Sequence, residues 1–157
     1  MRAVIPVAGM GTRMRPHTYS KPKVLLNVAG KPIIGHILDK IKEQKIKDVT
    51  IIRGYKGEEV EKYVNKAYPE MNFDFVEQEE MLGLGHAILM GEPTFNSEPL
   101  LIILGDTIFD VDLEKATNTE VSSLGVKKVE DPRRFGVVFK NEQGFITKLV
   151  EKPQEFI

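Results

Sequence analysis

The sequence predicts an α/β fold in which helices pack around a mostly parallel sheet. Segments with strand character alternate with segments of helical spacing over the first two thirds of the chain, which favours this layered class. A continuous apolar run over residues 99–104 is typical of a central strand covered on both faces. The length of 157 residues fits one domain with its own core.

The first half of the chain predicts strand, helix, strand and turn in that order. The apolar residues 3–8 predict a buried strand. Pro32 is suited to open a helix, and isoleucine and leucine recur at helical spacing, so we expect a helix over about 33–45. The β-branched residues of 48–53 predict a second strand, and 54–57 a turn.

The next elements continue the alternation up to the apolar run. Residues 58–68 have an amphipathic pattern that ends before Pro69, so they predict a helix. Residues 72–77 predict a strand, and 83–90 suit a helix entered through glycines. After the run, we expect Asp112 to cap a short helix.

The last third of the chain changes character. Residues 120–129, 136–140 and 145–151 predict strands separated by turns. The sequence ends at residue 157 without a closing element, so we expect a fragment or a truncated form of a longer protein.

Composition and charge exclude several classes of function. There is no cysteine, which excludes a disulfide scaffold, a cysteine nucleophile and any cysteine-based metal site. Lys and Arg (22) nearly balance Asp and Glu (23), so nothing indicates a nucleic-acid or membrane partner. No apolar run approaches the ~20 residues of a membrane span, and the N-terminus is not a signal peptide. We therefore expect a soluble cytoplasmic protein, and a homo-oligomer is left open.

The segment that follows the first strand has the composition of a phosphate site. Gly9 and Gly11 allow a sharp turn and a close approach to a ligand, and bare N–H groups in such a turn can hold an anion. The segment 7–23 carries no acidic residue but four cations: Arg13, Arg15, Lys21 and Lys23. We expect Arg15 and Lys21 to be ordinary surface charges.

Two better-known phosphate motifs fit this segment poorly. A dinucleotide-binding turn needs a third glycine where the chain has Met14, followed by a helix that Pro16 and Pro22 disfavour. A P-loop needs Gly-Lys-Ser/Thr, which does not follow. An NAD(P)-dependent oxidoreductase therefore remains only as the less favoured enzyme alternative.

Five blocks of sequence, taken in order, resemble the sugar-1-phosphate nucleotidyltransferases, and the resemblance covers the whole chain. The blocks are residues 9–16 with 21–23, Gly30-Lys31-Pro32, Gly105-Asp106, 135–138 and 150–153. The resemblance implies a three-layer α/β/α, Rossmann-like domain with a mixed, mostly parallel central sheet, of the nucleotide-diphospho-sugar transferase type. It also implies that 1–157 holds the nucleotide-binding part and the start of the sugar-binding part of a catalytic domain whose C-terminal remainder is absent.

The reaction implied by this resemblance is nucleotidyl transfer. The oxygen of a sugar 1-phosphate attacks the α-phosphorus of a nucleoside triphosphate in line and expels pyrophosphate. Because the nucleophile is already an anion, catalysis reduces to positioning and charge neutralisation. UTP or dTTP and glucose 1-phosphate are the favoured substrates. The alternative is a regulatory module that binds a nucleotide or nucleotide sugar without turnover.

The resemblance assigns catalysis to three residues. Arg13 would grip the leaving β- and γ-phosphates through its guanidinium fork, and Lys23 would stabilise charge near the α-phosphate. Asp106 would bind Mg²⁺ at the carboxyl edge of the sheet. The simpler interpretations are solvated loop cations for Arg13 and Lys23 and a turn residue for Asp106. The family takes a second metal-binding aspartate from its C-terminal portion, and no residue here matches it.

The remaining binding residues also come from the resemblance. Gln78 would read the nucleobase edge, since an amide offers a donor and an acceptor. The nucleotide-binding set is Ala8, Gly9, Gly11, Thr12, Arg13, Gln78 and Gly83. The sugar phosphate would be held by Gly136, Glu151 and Lys152. We expect His86 to be structural, and the three histidines lack the spacing of a zinc site.

Overall fold

Eight strands and four helices make up a computed structural model that describes residues 1–9, 11, 14, 16–54 and 56–155. The strands are β1 (Arg2–Pro6), β2 (Asn27–Val28), β3 (Lys31–Pro32), β4 (Asp48–Arg53), β5 (Asn72–Glu77), β6 (Leu100–Ile102), β7 (Gly136–Lys140) and β8 (Ile146–Glu151). The helices are α1 (Ile33–Glu43), α2 (Gly57–Ala67), α3 (Leu84–Met90) and α4 (Glu114–Thr117). The chain divides into two compact units, Met1–Thr117 and Asn118–Ile157, which we describe separately.

The first unit is built on a four-stranded sheet in the order β5-β4-β1-β6, and every strand pair in it is parallel. The central strands are the most buried. Ile5 of β1 pairs with Ile51 of β4, and both side chains are fully buried. The order places β6 beside β1 although β2 to β5 and α1 to α3 lie between them in sequence, so the winding of the chain reverses between these two strands.

Helices cover both faces of this sheet. On one face, the apolar stripe of α1 (Ile34, Ile37, Leu38 and Ile41) packs with Val60 and Val64 of α2. On the other face, Ala87 of α3 packs against Val4 and Ile52 of the sheet. The predicted three-layer α/β/α arrangement around a mostly parallel sheet is therefore confirmed. Antiparallel pairing among the described residues is confined to the small ladders β2-β3 and β7-β8.

Element boundaries in the first unit follow the local signals of the sequence. The strands predicted over 48–53 and 72–77 are observed with those bounds, and α1 begins directly after Pro32, as predicted. Asp112 caps the short α4, since its Oδ1 accepts a hydrogen bond from the backbone N–H of Glu114 at 3.1 Å. Among the described helices, none combines the length and apolar character that spanning a lipid bilayer requires.

The expectation of a central strand over 99–104 is wrong for this structure. The strand β6 is shorter and lies at the edge of the described sheet, where it pairs with β1. Ile103 is buried against the core, but Ile102 is 45% and Leu104 is 42% exposed on the opposite face. The reason is that the layer containing α3 reaches Leu100 and does not cover the residues beyond it.

The second unit is organised around the antiparallel hairpin β7-β8, which matches the strands predicted over 136–140 and 145–151. The strand predicted over 120–129 is not formed. Its apolar side chains are exposed instead, with Val121 at 58% and Val126 at 71%. A strand needs a pairing partner, and within the described part of this unit the hairpin strands pair with each other.

Candidate active site

The reversal of winding between β1 and β6 creates a crevice at the carboxyl ends of these two strands, which is where open α/β sheets bind ligands. A cavity of about 430 Å³ lies there. Its walls include Gly9 and Gly11 from the loop after β1, Lys23 from the same loop, and Asp106 from the segment after β6. The structure thus brings these four predicted site residues to one cavity.

Gly11 has a conformation and a packing that other residues would not tolerate. Its φ is +60°, and a Cβ at this position would lie 2.9 Å from Cγ2 of Thr18. Thr18 is buried, and its hydroxyl donates a hydrogen bond to the carbonyl of Gly11 at 2.9 Å. The 3₁₀ turn His17–Tyr19, which includes Thr18, therefore holds the glycine loop in place through the contacts of Thr18 with Gly11.

Gly105 brings the segment after β6 against the end of β1. A Cβ at Gly105 would lie 2.5 Å from Cγ1 of Val7 and 2.8 Å from the carbonyl oxygen of Pro6. The N–H of Gly105 donates to that same carbonyl at 3.2 Å, which extends the contact of the two strands beyond their regular ladder. Because this approach is so close, the next residue, Asp106, reaches the cavity wall.

Lys23 and Asp106 form an ion pair at the cavity. The Nζ of Lys23 lies 2.8 Å from Oδ2 of Asp106, and the two side chains are 28% and 51% exposed. The hydrogen bond from Lys23 lowers the pKa of the Asp106 carboxyl below its ordinary value, against the opposing effect of partial burial. The carboxylate is therefore fully ionised at neutral pH, and the ammonium is close to any anion that enters.

The donors at this cavity suit a magnesium ion only in combination with a substrate. Asp106 is the one carboxylate among the described residues that line it, and within the described part of the chain no group of three His, Asp or Glu side chains has the arrangement of a metal site. Magnesium is commonly held by one or two carboxylates together with waters and substrate phosphates. A single ionised, half-exposed carboxylate beside an open cavity fits that mode.

Gln78 ties the end of β5 to the start of α3. Its side chain is buried, and its Nε2 lies 3.3 Å from the carbonyl of Gly83 and 3.1 Å from Nδ1 of His86. Gly83 has a φ of +100° and precedes α3, whose first residue, Leu84, lines the cavity. His86 has the structural contact expected of it. The recognition of a nucleobase by Gln78 stays a prediction, and the amide nitrogen is already engaged within the chain.

The other nucleotide-binding candidates differ in what the structure describes. Thr12 and Arg13 lie outside the described residues. Ala8 is buried, and a Cβ at Gly54 would lie 2.9 Å from its carbonyl oxygen, so Ala8 is backed by the turn that follows β4.

The three predicted sugar-phosphate residues come together in the second unit. Gly136 pairs with Glu151 across β7-β8, and a Cβ on this glycine would lie 3.1 Å from the Glu151 Oε2. Lys152 follows directly, with its N–H bonded to the carbonyl of Phe135 and its Nζ 3.3 Å from the Glu151 Oε1. One end of the hairpin thus presents an exposed cation and carboxylate side by side, and their roles stay predictions.

Sequence reasoning missed two residues that shape the glycine loop. The Thr18 hydroxyl donates to the Gly11 carbonyl, and the position of Thr18 between Pro16 and Pro22 is the only local signal the sequence offers for this contact. Lys56 donates to the carbonyls of Tyr19 and Ser20 from a different part of the chain, and no local pattern indicates this contact.

Comparison with known proteins gives matches over nearly the whole chain. Residues 2–157 match the family model described as nucleotidyl transferase. The chain is 37% identical over 155 residues to the bifunctional protein GlmU of Methanococcus vannielii, covering 99% of this chain and 36% of that protein. It is 34% identical over 163 residues to the UTP–glucose-1-phosphate uridylyltransferase AglF of Haloferax volcanii, covering 99% of this chain and 66% of that protein.

The chain is also similar in fold and sequence to a protein of solved structure. A Bacillus anthracis protein assigned as a glucose-1-phosphate thymidylyltransferase, crystallised with sucrose, superposes with a TM-score of 0.85 at 31% identity. The match covers 99% of this chain and 66% of that one. The chain therefore spans about a third of the length of GlmU and about two thirds of the other two proteins.

Proposed function

The chain belongs to the nucleotidyl transferase family, and we propose that it provides the nucleotide-binding and catalytic part of an enzyme that transfers a nucleotidyl group from a nucleoside triphosphate to a sugar 1-phosphate, with release of pyrophosphate. The observation that carries this proposal is the cavity between β1 and β6, where the glycine loop, Lys23 and Asp106 meet. Loop amides and an ammonium are suited to phosphate oxygens, and a carboxylate is suited to a metal ion that accompanies them.

The chemistry of the proposed reaction explains why so few kinds of side chain are needed. The attacking oxygen of a sugar phosphate is anionic at neutral pH, so no general base has to remove a proton from it. What remains is to align the two phosphates and to neutralise charge as the bond to pyrophosphate breaks. Lys23 is the described cation that lines the cavity, and it would leave Asp106 to contact the α-phosphate. Arg13 would hold the departing β- and γ-phosphates.

Asp106 would hold Mg²⁺ in this proposal. The ion, when bound, supplies positive charge to the phosphate oxygens. The role of the chain is to keep the carboxylate ionised, which the hydrogen bond from Lys23 promotes by lowering the Asp106 pKa. The role of Gly105 is to keep that carboxylate at the cavity, because no larger residue could pack so closely against Val7.

The favoured substrates are a pyrimidine nucleoside triphosphate, UTP or dTTP, and glucose 1-phosphate. The names of two relatives support this choice, since one is a uridylyltransferase and the other a thymidylyltransferase, both for glucose 1-phosphate. Gln78 would face the base and Gly83 the nucleoside, since the adjoining Leu84 lines the cavity. Gly136, Glu151 and Lys152 would bind the sugar phosphate.

A second candidate function is binding of a nucleotide or nucleotide sugar without turnover. It is favoured by the presence of only one carboxylate among the described residues of the cavity wall. The first candidate requires a triphosphate to bind and pyrophosphate to be released, whereas the second requires a nucleotide or nucleotide sugar to bind at the same place without release of pyrophosphate.

The test is a pyrophosphate-release assay with Mg²⁺, glucose 1-phosphate and each nucleoside triphosphate in turn, run beside a binding measurement. Release with UTP or dTTP supports the transferase, and it should be lost in Asp106→Asn but kept in the matched control Asp110→Asn, an exposed position of the same segment. Binding without release, with release restored in a longer form of the protein, identifies an incomplete enzyme; binding without release in the longer form as well selects the non-catalytic alternative. Failure of every triphosphate to bind or react, together with failure of every nucleotide sugar tested to bind, overturns both candidates.

A further inference from the structure

We propose that Lys56 is a positioning residue for the glycine loop, acting through the turn His17–Tyr19 without touching the substrate. This inference rests on the proposed nucleotide-binding function of that loop. Lys56 lies directly before α2, far from the loop in sequence, and no sequence motif gives it a role.

The contact needs a cationic hydrogen-bond donor on a long side chain. The Nζ of Lys56 lies 2.9 Å from the carbonyl oxygen of Tyr19 and 3.0 Å from that of Ser20. These two carbonyls stand at the end of the 3₁₀ turn His17–Tyr19. An ammonium has three donors and a positive charge, so it can satisfy two such acceptors at once. The Glu59 carboxylate, 3.9 Å away, helps hold the ammonium in place.

The turn transmits this constraint to the cavity. Between its ends lies Thr18, which is buried and donates its hydroxyl hydrogen to the carbonyl of Gly11. The methyl group of Thr18 also packs where a side chain on Gly11 would be. A shift of the turn therefore moves Gly11, which lines the cavity. Lys23, a few residues further along the same segment, would lose its alignment with Asp106 as well.

The backbone at Lys56 is further evidence for a role of the ammonium. Its φ is 57° and its ψ is 30°, the left-handed conformation that disfavours a lysine and suits a glycine. Such strain persists where the surrounding structure fixes the residue, and it is concentrated at functional positions. The side-chain contacts with the turn supply a reason for lysine at a position where glycine would relieve the backbone.

The experiment compares the wild-type chain with Lys56→Met, Lys56→Arg and a matched control, Lys62→Met, at an exposed position of α2. Hydrogen exchange of peptides spanning residues 9–23 is measured without ligand, and UTP and dTTP affinities are measured by calorimetry. Loss of a charged hydrogen-bond donor predicts faster exchange in these peptides and about 10-fold weaker nucleotide binding for Lys56→Met. Lys56→Arg should restore most of both properties, and Lys62→Met should match the wild type.

A further variant separates positioning from general stability. Lys56→Gly removes the ammonium as Lys56→Met does but relieves the backbone, so its thermal midpoint should lie above that of Lys56→Met while nucleotide binding weakens to a similar extent. Unchanged exchange and affinity in both Lys56→Met and Lys56→Gly would overturn the inference. If the wild-type chain binds no triphosphate, the proposed function fails instead, and the exchange data alone still decide whether Lys56 holds the loop.

Discussion

Substituting Gly11 by alanine should destabilise the chain more than any comparable change in the loop. Two effects add at this position. A φ of +60° costs a residue with a Cβ roughly 1–2 kcal/mol. The new Cβ would also lie 2.9 Å from Cγ2 of Thr18, which is buried and cannot move away freely, and overpacking of this kind costs about 1–3 kcal/mol. The expected loss is therefore about 2–5 kcal/mol.

Three other glycines allow the two effects to be separated. Gly83 has a φ of +100° and a ψ of −178°, a region essentially restricted to glycine, and no atom lies within 4 Å of the place that a Cβ would take. Gly83→Ala should therefore show a backbone effect alone, of about 1–3 kcal/mol. Gly105 has the opposite combination, an ordinary φ with Val7 Cγ1 at 2.5 Å, so Gly105→Ala should show the packing effect alone. Gly9 has neither a positive φ nor an atom within 4 Å of the place that a Cβ would take. Gly9→Ala should therefore change the free energy of unfolding by no more than about 0.5 kcal/mol.

Urea unfolding followed by far-ultraviolet circular dichroism measures the free energies of unfolding of these variants. We expect Gly11→Ala and Gly83→Ala both to lose stability and Gly9→Ala to match the wild type. If Gly9→Ala and Gly11→Ala destabilise the chain equally, the reasoning from φ and packing is refuted. Near-wild-type stability of Gly11→Ala would refute the claim that Thr18 fixes the loop.

Three further predictions concern the cavity itself. Asp106→Asn should abolish nucleotidyl transfer. Because the side chain is half-exposed, the circular dichroism spectrum and the thermal midpoint should stay nearly unchanged. Full activity of this variant would contradict the proposed role of Asp106. Lys23→Met should raise the pKa of Asp106 towards or above the ordinary value of 3.8, as seen by NMR titration of the carboxyl group; an unchanged pKa would show that Lys23 is not its main cause. Since Lys23 lowers that pKa, the stabilisation by the pair is present above about pH 4 and is lost as the pH falls through the lowered pKa, but partial exposure limits it to less than about 1 kcal/mol. Thr18→Val should cost about 0.5–1.5 kcal/mol and weaken nucleotide binding, since it removes the hydroxyl donor from the Gly11 carbonyl, which keeps its hydrogen bond from the Met14 N–H. Thr18→Ser should keep most of the affinity, and equal affinity of Thr18→Val and the wild type would be the contrary result.

The sheet of the first unit was largely predictable because its central strands carry their own signals. Residues 48–53 and 72–77 combine β-branched and aromatic residues with clear boundaries, and both strands formed with the predicted bounds. The burial of the apolar run over 99–104 was predicted wrongly. Composition shows only how apolar a segment is, whereas burial also depends on whether another strand or helix packs over it. The strand predicted over 120–129 does not form for a related reason, since a segment with strand-like composition needs a neighbouring strand to pair with.

The candidate site was predictable where the fold forces residues together. Gly9, Gly11 and Asp106 follow two parallel strands that became neighbours, so their meeting at the carboxyl edge follows from topology. The support of the loop was not predictable. Lys56 reaches its acceptors across 36 and 37 residues of sequence, and a lysine beside a turn carries no pattern that distinguishes such a contact from a solvated charge.

The most direct test of the nucleotide site is to locate a bound triphosphate on the chain by NMR. UTP or dTTP is titrated into the ¹⁵N-labelled protein with Mg²⁺, and amide shifts are followed residue by residue. We expect the shifts to concentrate at Gly9, Gly11, Gly105 and Asp106, to leave Asn72 and Phe73 at the start of β5 unaffected, and to weaken in Lys23→Met. Saturable shifts centred elsewhere, or none with either nucleotide, would contradict the claim that the crevice between β1 and β6 is the nucleotide site.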